Sequence, residues 1–207
     1  MEQARLYISI LIDNSPSMDE VKLTSIINGF ETMFSSFEQE QTSGLLNIQM
    51  MAFDNFQPRV AKARNELTYS TSIEPGGFPL MGRALDVIAK DLIDVLSNED
   101  QPIHTPWLIV ISNGLTLDSI HKSHVGLKAL KAKFNLRYLP FLTTREKVAS
   151  RQIETEQFEA KKPMVILDKK IDLFFHWLSE DIKNRINTPL NERVTSDKKL
   201  LEGWTIL

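Results

Sequence analysis

The stretch LIDNSPSM, residues 11–18, places Asp13, Ser15 and Ser17 at alternate positions directly after a short apolar run. A carboxylate followed by hydroxyls two and four residues on is an all-oxygen donor set of the kind a hard divalent cation takes. Magnesium prefers octahedral oxygen ligands at about 2.0–2.1 Å and keeps several waters, so one acid and two hydroxyls on one turn leave coordination positions open. The same residues have a second use, because Asp and Ser also cap helices and order turns through the local backbone. Residue types alone leave both readings standing.

The other reactive side chains suggest less. His121 and His124 have a spacing that suits zinc, but no third ligand lies near them in sequence, and an exposed polar helix face accounts for the pair. His104 sits in a proline-flanked loop, and His176 in an apolar segment reads as a packed histidine. EPGGFPLMG, residues 74–82, bears glycines but lacks the Lys-Ser/Thr ending of a P-loop, and no Gly-x-Ser-x-Gly elbow occurs. Lys128, Lys131, Lys133 and Arg137 form a modest basic patch without interleaved aromatics, which a solvated helix face explains. The competing enzymatic reading is a phosphoester hydrolase or phosphotransferase using Asp13. The haloacid dehalogenase chemistry with this placement needs a second aspartate where Ser15 stands.

The elements that must carry Asp13 follow from the hydrophobic pattern. Leu6 to Ile12 is apolar on both alternating faces, as in a strand buried on two sides. Leu23, Ile26, Ile27, Phe30, Phe34 and Phe37 recur at spacings of three and four, which predicts a helix. Further strands are expected over Leu46–Phe53, around Arg59–Ala63, and over Trp107–Gly114, Leu136–Leu142 and Met164–Asp168. Helices are expected over about Leu80–Leu96, Ser119–Lys133 and Ile171–Ile186, with a polar loop and short helix between 144 and 162. An extended tail follows from Asn187, with Trp204 and Leu207 packing it back. Alternating strands and helices imply an α/β fold: a doubly wound, mostly parallel sheet flanked by helices on both faces. In such sheets sites form outside the carboxyl ends of the strands, where Asp13 and Asn113 both fall.

The bulk properties narrow the function classes. A chain of 207 residues, 42% hydrophobic and 25% charged, suits one soluble globular domain. A formal charge of -3 gives no electrostatic reason for a nucleic-acid or membrane partner. The absence of cysteine excludes disulfides, iron–sulfur ligation and thiol catalysis. The run at Leu6–Ile12 has no basic leader, and no stretch approaches the roughly 18–20 apolar residues of a membrane helix. The expectation is a cytoplasmic protein.

LIDNSPSM after a buried strand resembles the Asp-x-Ser-x-Ser element of the von Willebrand factor A (vWA) family. The likeness runs to about residue 180, through MAFD, EPGGFPLMGRALD and LIVISNG. Within the family, the compact start and GGFPLMGRALD are most similar to the bacterial tellurite-resistance TerY-like proteins. The resemblance implies a Rossmann-like vWA fold with a metal-ion-dependent adhesion site at the strand ends. Its first three ligands match Asp13, Ser15 and Ser17. A threonine of the family pattern is replaced by Phe78, and an aspartate by Asn113. Phe78 offers no oxygen, and Asn113 keeps a carbonyl but removes a charge, so the site is expected to be partly degenerate and to hold Mg2+ or Mn2+ weakly.

The implied function is a non-catalytic protein–protein interaction module. Its partner would be another protein, such as a kinase or phosphatase of the same stress-response system. Metal ligation is assigned to Asp13, Ser15, Ser17 and Asn113. Partner contact is assigned to Phe78, Asn14 and Leu115, with Phe78 either a contact or a plug for the vacant ligand position. The chain reads as a single domain over 1–207, with 187–207 as a C-terminal extension.

Overall fold

The computed structural model describes residues 4–39, 45–53, 58–63, 76–114, 124–144, 164–190, 192 and 205–206. The strands are β1 (Leu6–Asp13), β2 (Leu46–Phe53), β3 (Pro58–Ala63), β4 (Trp107–Ser112), β5 (Arg137–Thr144), β6 (Met164–Leu167) and β7 (Thr205–Ile206). The helices are α1 (Glu20–Gln39), α2 (Met81–Ser97), α3 (His124–Phe134) and α4 (Ile171–Ile186). The strands form one sheet in the order β3-β2-β1-β4-β5-β6-β7. The five central strands run parallel, while β3 and β7 pair antiparallel at the two edges.

Every residue of β1 is buried, because helices cover both faces of the sheet. Leu6, Ile8, Ile10 and Ile12 point into a core shared with α1 and α4. Tyr7 and Leu11 point into a second core built with α2 and α3. The period-two alternation of the strand therefore puts Asp13 on the α2/α3 side. On the first side, Leu23, Ile26, Phe30, Met33 and Phe37 form the buried stripe of α1. The Phe141 and Phe174 rings meet edge to face at 4.6 Å between centroids. A Cβ on Gly29 would collide with the Phe175 ring, so this glycine sets how closely α1 approaches α4.

The chain leaves β1 through α1 to β2 on one side, and β4 then pairs with the other side of β1. The strand order reverses between β1 and β4, which opens a crevice at their carboxyl ends. The predicted α/β architecture is present, with adjustments at the element ends: β4 stops at Ser112, before Asn113 and Gly114. Asp168 lies in a 3-10 turn, Asp168–Lys170, and not in β6. Two residues of the tail form the edge strand β7. The helix α3 starts at His124, while the first predicted residues of that helix, 119–123, lie outside the described residues, as do the loop 145–163, Trp204 and Leu207. No helix among the described residues is long and apolar enough to cross a membrane.

Candidate functional site

Asp13 is the last residue of β1, and Asn113 follows the last residue of β4, so the topology alone brings them to the same crevice. Beyond Asp13 the chain turns tightly. The Ser15 amide donates to Asp13 Oδ1 at 2.8 Å, and the Met18 amide donates to the Ser15 carbonyl at 2.8 Å. Met18 is fully buried beneath the turn, and Thr143 Oγ1 donates to its sulfur at 3.4 Å. The Asn14 carbonyl accepts the Gly76 amide at 2.7 Å, which joins the loop before α2 to the β1–α1 turn. The helix α1 has its own cap: Asp19 Oδ1 accepts the Lys22 amide at 3.0 Å. Capping therefore does not use Asp13, Ser15 or Ser17.

Those three side chains face one another. Ser15 Oγ and Ser17 Oγ lie 2.9 Å apart, and the Asn113 side-chain amide donates to Ser17 Oγ. Asp13 is wholly buried, and its Oδ2 has no hydrogen-bond partner among the described residues. Burial pushes the Asp13 carboxyl above its ordinary value, and the Ser15 backbone amide and hydroxyl, the Asn113 backbone amide and the Ser112 hydroxyl partly offset that rise. An interior carboxylate oxygen without a donor is costly, and a cation or a donor from outside would relieve it.

The donor set fits a small divalent ion in part. An octahedron with arms of about 2.1 Å has edges of about 3.0 Å. The 2.9 Å between the two serine oxygens matches such an edge. Asp13 Oδ2 is the available anionic ligand. Asn113 in this orientation presents its amide nitrogen to Ser17, so it contributes to an ion only through its carbonyl and a water. Among the described residues there is no cluster of three or more His, Cys, Asp or Glu that could hold a metal by itself.

The end of the molecule that holds the crevice also exposes apolar side chains. The Phe78 side chain is 62% exposed and stands on the surface, which does not match a ring buried in a ligand position. Gly77 precedes it with φ of 72°, a left-handed conformation that glycine adopts without a Cβ penalty. Val21, Val125 and Leu173 are also exposed, in the first turns of α1, α3 and α4, which begin at this end of the sheet. Asn14 is buried and joins loops through its backbone, so its side chain offers little surface to a partner. Leu115 and His121 lie outside the described residues.

Several contributors carry no motif in the sequence. Met18 and Thr143 meet only because β5 lies beside β4. Ser112 Oγ accepts the Gly114 amide at 2.9 Å, and Gly114 has φ of 85°. The Asn-Gly pair was the available signal for that turn.

No protein-family model and no curated protein matches the chain. Solved structures do match. The vWF domain of the type V pili tip protein Mfa5 from Porphyromonas gingivalis superposes with a TM-score of 0.65 at 8% identity, covering 94% of this chain and 99% of that one. The pilus adhesin SpaC from Lactobacillus rhamnosus GG gives a TM-score of 0.64 at 8% identity, over 89% of this chain and 32% of the adhesin. Proximal thread matrix protein 1 of the mussel byssus, with a zinc-occupied MIDAS motif, gives 0.62 at 13% identity, over 88% of this chain and 49% of that one. The chain thus spans about half the length of the mussel protein and a third of SpaC. At these identities the likeness is one of fold, and the fold is vWA-like.

Proposed function

We propose that the chain is a non-catalytic protein-interaction module that docks a protein partner at the carboxyl ends of β1 and β4. The observation that carries the reading is the unpartnered, buried Asp13 Oδ2 beside the paired Ser15 and Ser17 hydroxyls, in a crevice whose end of the molecule exposes Phe78, Val21, Val125 and Leu173. Exposed apolar side chains that share one end suit a protein surface better than a small substrate. Two of the fold's relatives are a pilus adhesin and a pili tip protein, which favours an interaction role.

Asp13, Ser15 and Ser17 would hold Mg2+ or Mn2+, with Asn113 reaching it through water. The ion when bound would offer an open coordination position to an acidic side chain of the partner. Phe78 supplies an aromatic contact beside it, and the Asp13–Met18, Gly76–Leu80 and Asn113–Gly114 segments form the docking surface. With only one carboxylate in the set, ion affinity is lower than in a two-carboxylate site. The bacterial tellurite-resistance-like setting and a kinase or phosphatase partner rest on the sequence resemblance, and the cytoplasmic location on the bulk properties of the sequence.

Calorimetric titration with Mg2+ and Mn2+ tests the site. Wild type gives a binding heat at millimolar metal and Asp13→Ala gives none; no heat from wild type overturns ion binding. Recovery of partner protein with wild type, Asp13→Ala and Phe78→Ala baits then tests the surface, which predicts loss of the same partner from both variants. Asp13-dependent hydrolysis of a phosphoester such as para-nitrophenyl phosphate would instead establish the enzymatic alternative.

A further inference from the structure

The opposite end of the sheet holds a buried histidine that the proposed function does not use. His104, 3% exposed, lies in the segment between α2 and β4, and its amide donates to the Arg5 carbonyl at 2.8 Å. Its Nδ1 faces the Arg185 guanidinium, with Nε at 3.1 Å and Nη2 at 2.9 Å. Arg185 is at the last turn of α4 and has no acceptor, so both contacts require a lone pair on Nδ1 and the ring proton on Nε2. The same guanidinium grips the chain beyond the helix. Nη1 donates to the Glu192 carbonyl at 3.1 Å, and Nη2 to the Leu190 carbonyl at 3.4 Å. One neutral histidine therefore aims the arginine that holds the start of the C-terminal segment.

We propose that His104 and Arg185 form a proton-released clamp: the segment after α4 is held while His104 is neutral and let go when His104 takes a proton. Protonation at Nδ1 removes the lone pair that Arg185 uses and sets a second cation against a guanidinium that cannot give up its own charge. The geometry offers no ready compensation. Arg137 is the charge that acts on Arg185 and pairs with Asp181, one turn before Arg185 on α4, while Arg5, whose carbonyl holds the His104 amide, pairs with Glu99. Glu99 is engaged by Arg5 and Tyr7, Asp181 accepts from Arg137 at 2.6 Å, and Glu192 enters through its backbone. Burial first, and then the charge of Arg185, hold the imidazole below its ordinary value. The sign follows from that direction. The open form takes up a proton near the ordinary histidine value of about 6.5 and the closed form only at lower pH, so acid favours opening by up to tenfold per pH unit in that window.

Hydrogen–deuterium exchange of the full chain tests the clamp, with peptides over 187–192 and 205–206 read against α4 at about pH 7.5 and about pH 5.5 and corrected for the chemical exchange rate. Wild type is expected to lose protection in 187–192 by severalfold, up to about tenfold, at the lower pH. His104→Gln, which keeps a neutral acceptor without titrating, is expected to hold the same protection at both. Equal protection of wild type at both pH values, or an acid loss in His104→Gln as large as in wild type, overturns the proposal. If His104→Gln does not fold, NMR titration of the wild-type His104 ring decides: its midpoint must coincide with that of the release, and separate midpoints overturn the clamp.

Discussion

The two ends of the sheet treat polar groups in opposite ways. At the amino ends of the strands, charge is consumed internally. Arg5 bonds Glu99 at 3.1 Å, Tyr7 donates to the same carboxylate, Arg137 pairs with the buried Asp181 at 2.6 Å and lies 4.2 Å over the Trp107 ring, and Arg185 is shared between His104 and the chain after α4. At the carboxyl ends, two buried carboxylate oxygens, Asp13 Oδ2 and Asp168 Oδ1, have no hydrogen-bond partner among the described residues. The other oxygen of Asp168 is held by the nearly buried Lys22 at 3.3 Å. Four of the seven large exposed hydrophobics among the described residues also sit at this end. A surface with interior polar groups unmet and apolar groups outside is costly to a free monomer. The contrast separates an end spent on holding the fold together from one whose interior polar groups stay unmet, which is what the proposed docking role requires.

Substitutions can break or sharpen that contrast. The largest effect is expected at the holding end. Arg137→Ala removes the 2.6 Å ion pair to the Asp181 carboxylate, which is only 2% exposed, and the cover over Trp107. A loss of about 3 kcal/mol is expected, at the low end for a broken buried pair because Arg137 itself is partly exposed. Urea unfolding measures it, and an unchanged midpoint would show that this end is not the one that carries stability.

Asp13→Asn should act in the other direction, raising stability by about 1 kcal/mol at neutral pH while abolishing the metal response. The sign follows from the raised Asp13 carboxyl. Its stability contribution is complete below the unfolded value of about 3.9 and declines as pH rises towards the folded value, so the wild type carries the ionised cost at pH 7. Melting curves of both proteins from pH 4 to 7, without divalent ions, should diverge as pH rises. Curves that stay parallel would mean the carboxylate is not strained. The smallest effect on folding is expected for Phe78→Ala, within about 0.5 kcal/mol, because the ring is largely exposed. A much larger loss in urea would make Phe78 a structural residue and remove it from the docking surface.

Much of this was legible in residue order. The double-faced apolar run of β1, the three- and four-residue spacing in α1 and α2, and the turn at Asn113-Gly114 were enough for the parallel sheet and for placing Asp13 and Asn113 at the strand ends. Lys22 and Met18 were not legible, because a lysine and a methionine near a helix start give no sign that β5 and the Asp168 turn will cover them. The tail's edge strand was hidden for a similar reason: two residues have no periodicity, and only the open edge of β6 makes them a strand.

The sequence by itself determined the layered α/β architecture and the type of chemistry that Asp13, Ser15 and Ser17 can do. Both are local consequences of side-chain period and donor atoms. Only the tertiary structure decided which oxygens stay unused. It assigned the cap to Asp19, spent the Asn113 amide on Ser17, exposed Phe78, and left Asp13 Oδ2 without a donor. Hydrogen-bond satisfaction depends on neighbours that lie 96 residues apart, as Ser17 and Asn113 do, and no local pattern encodes such a distance.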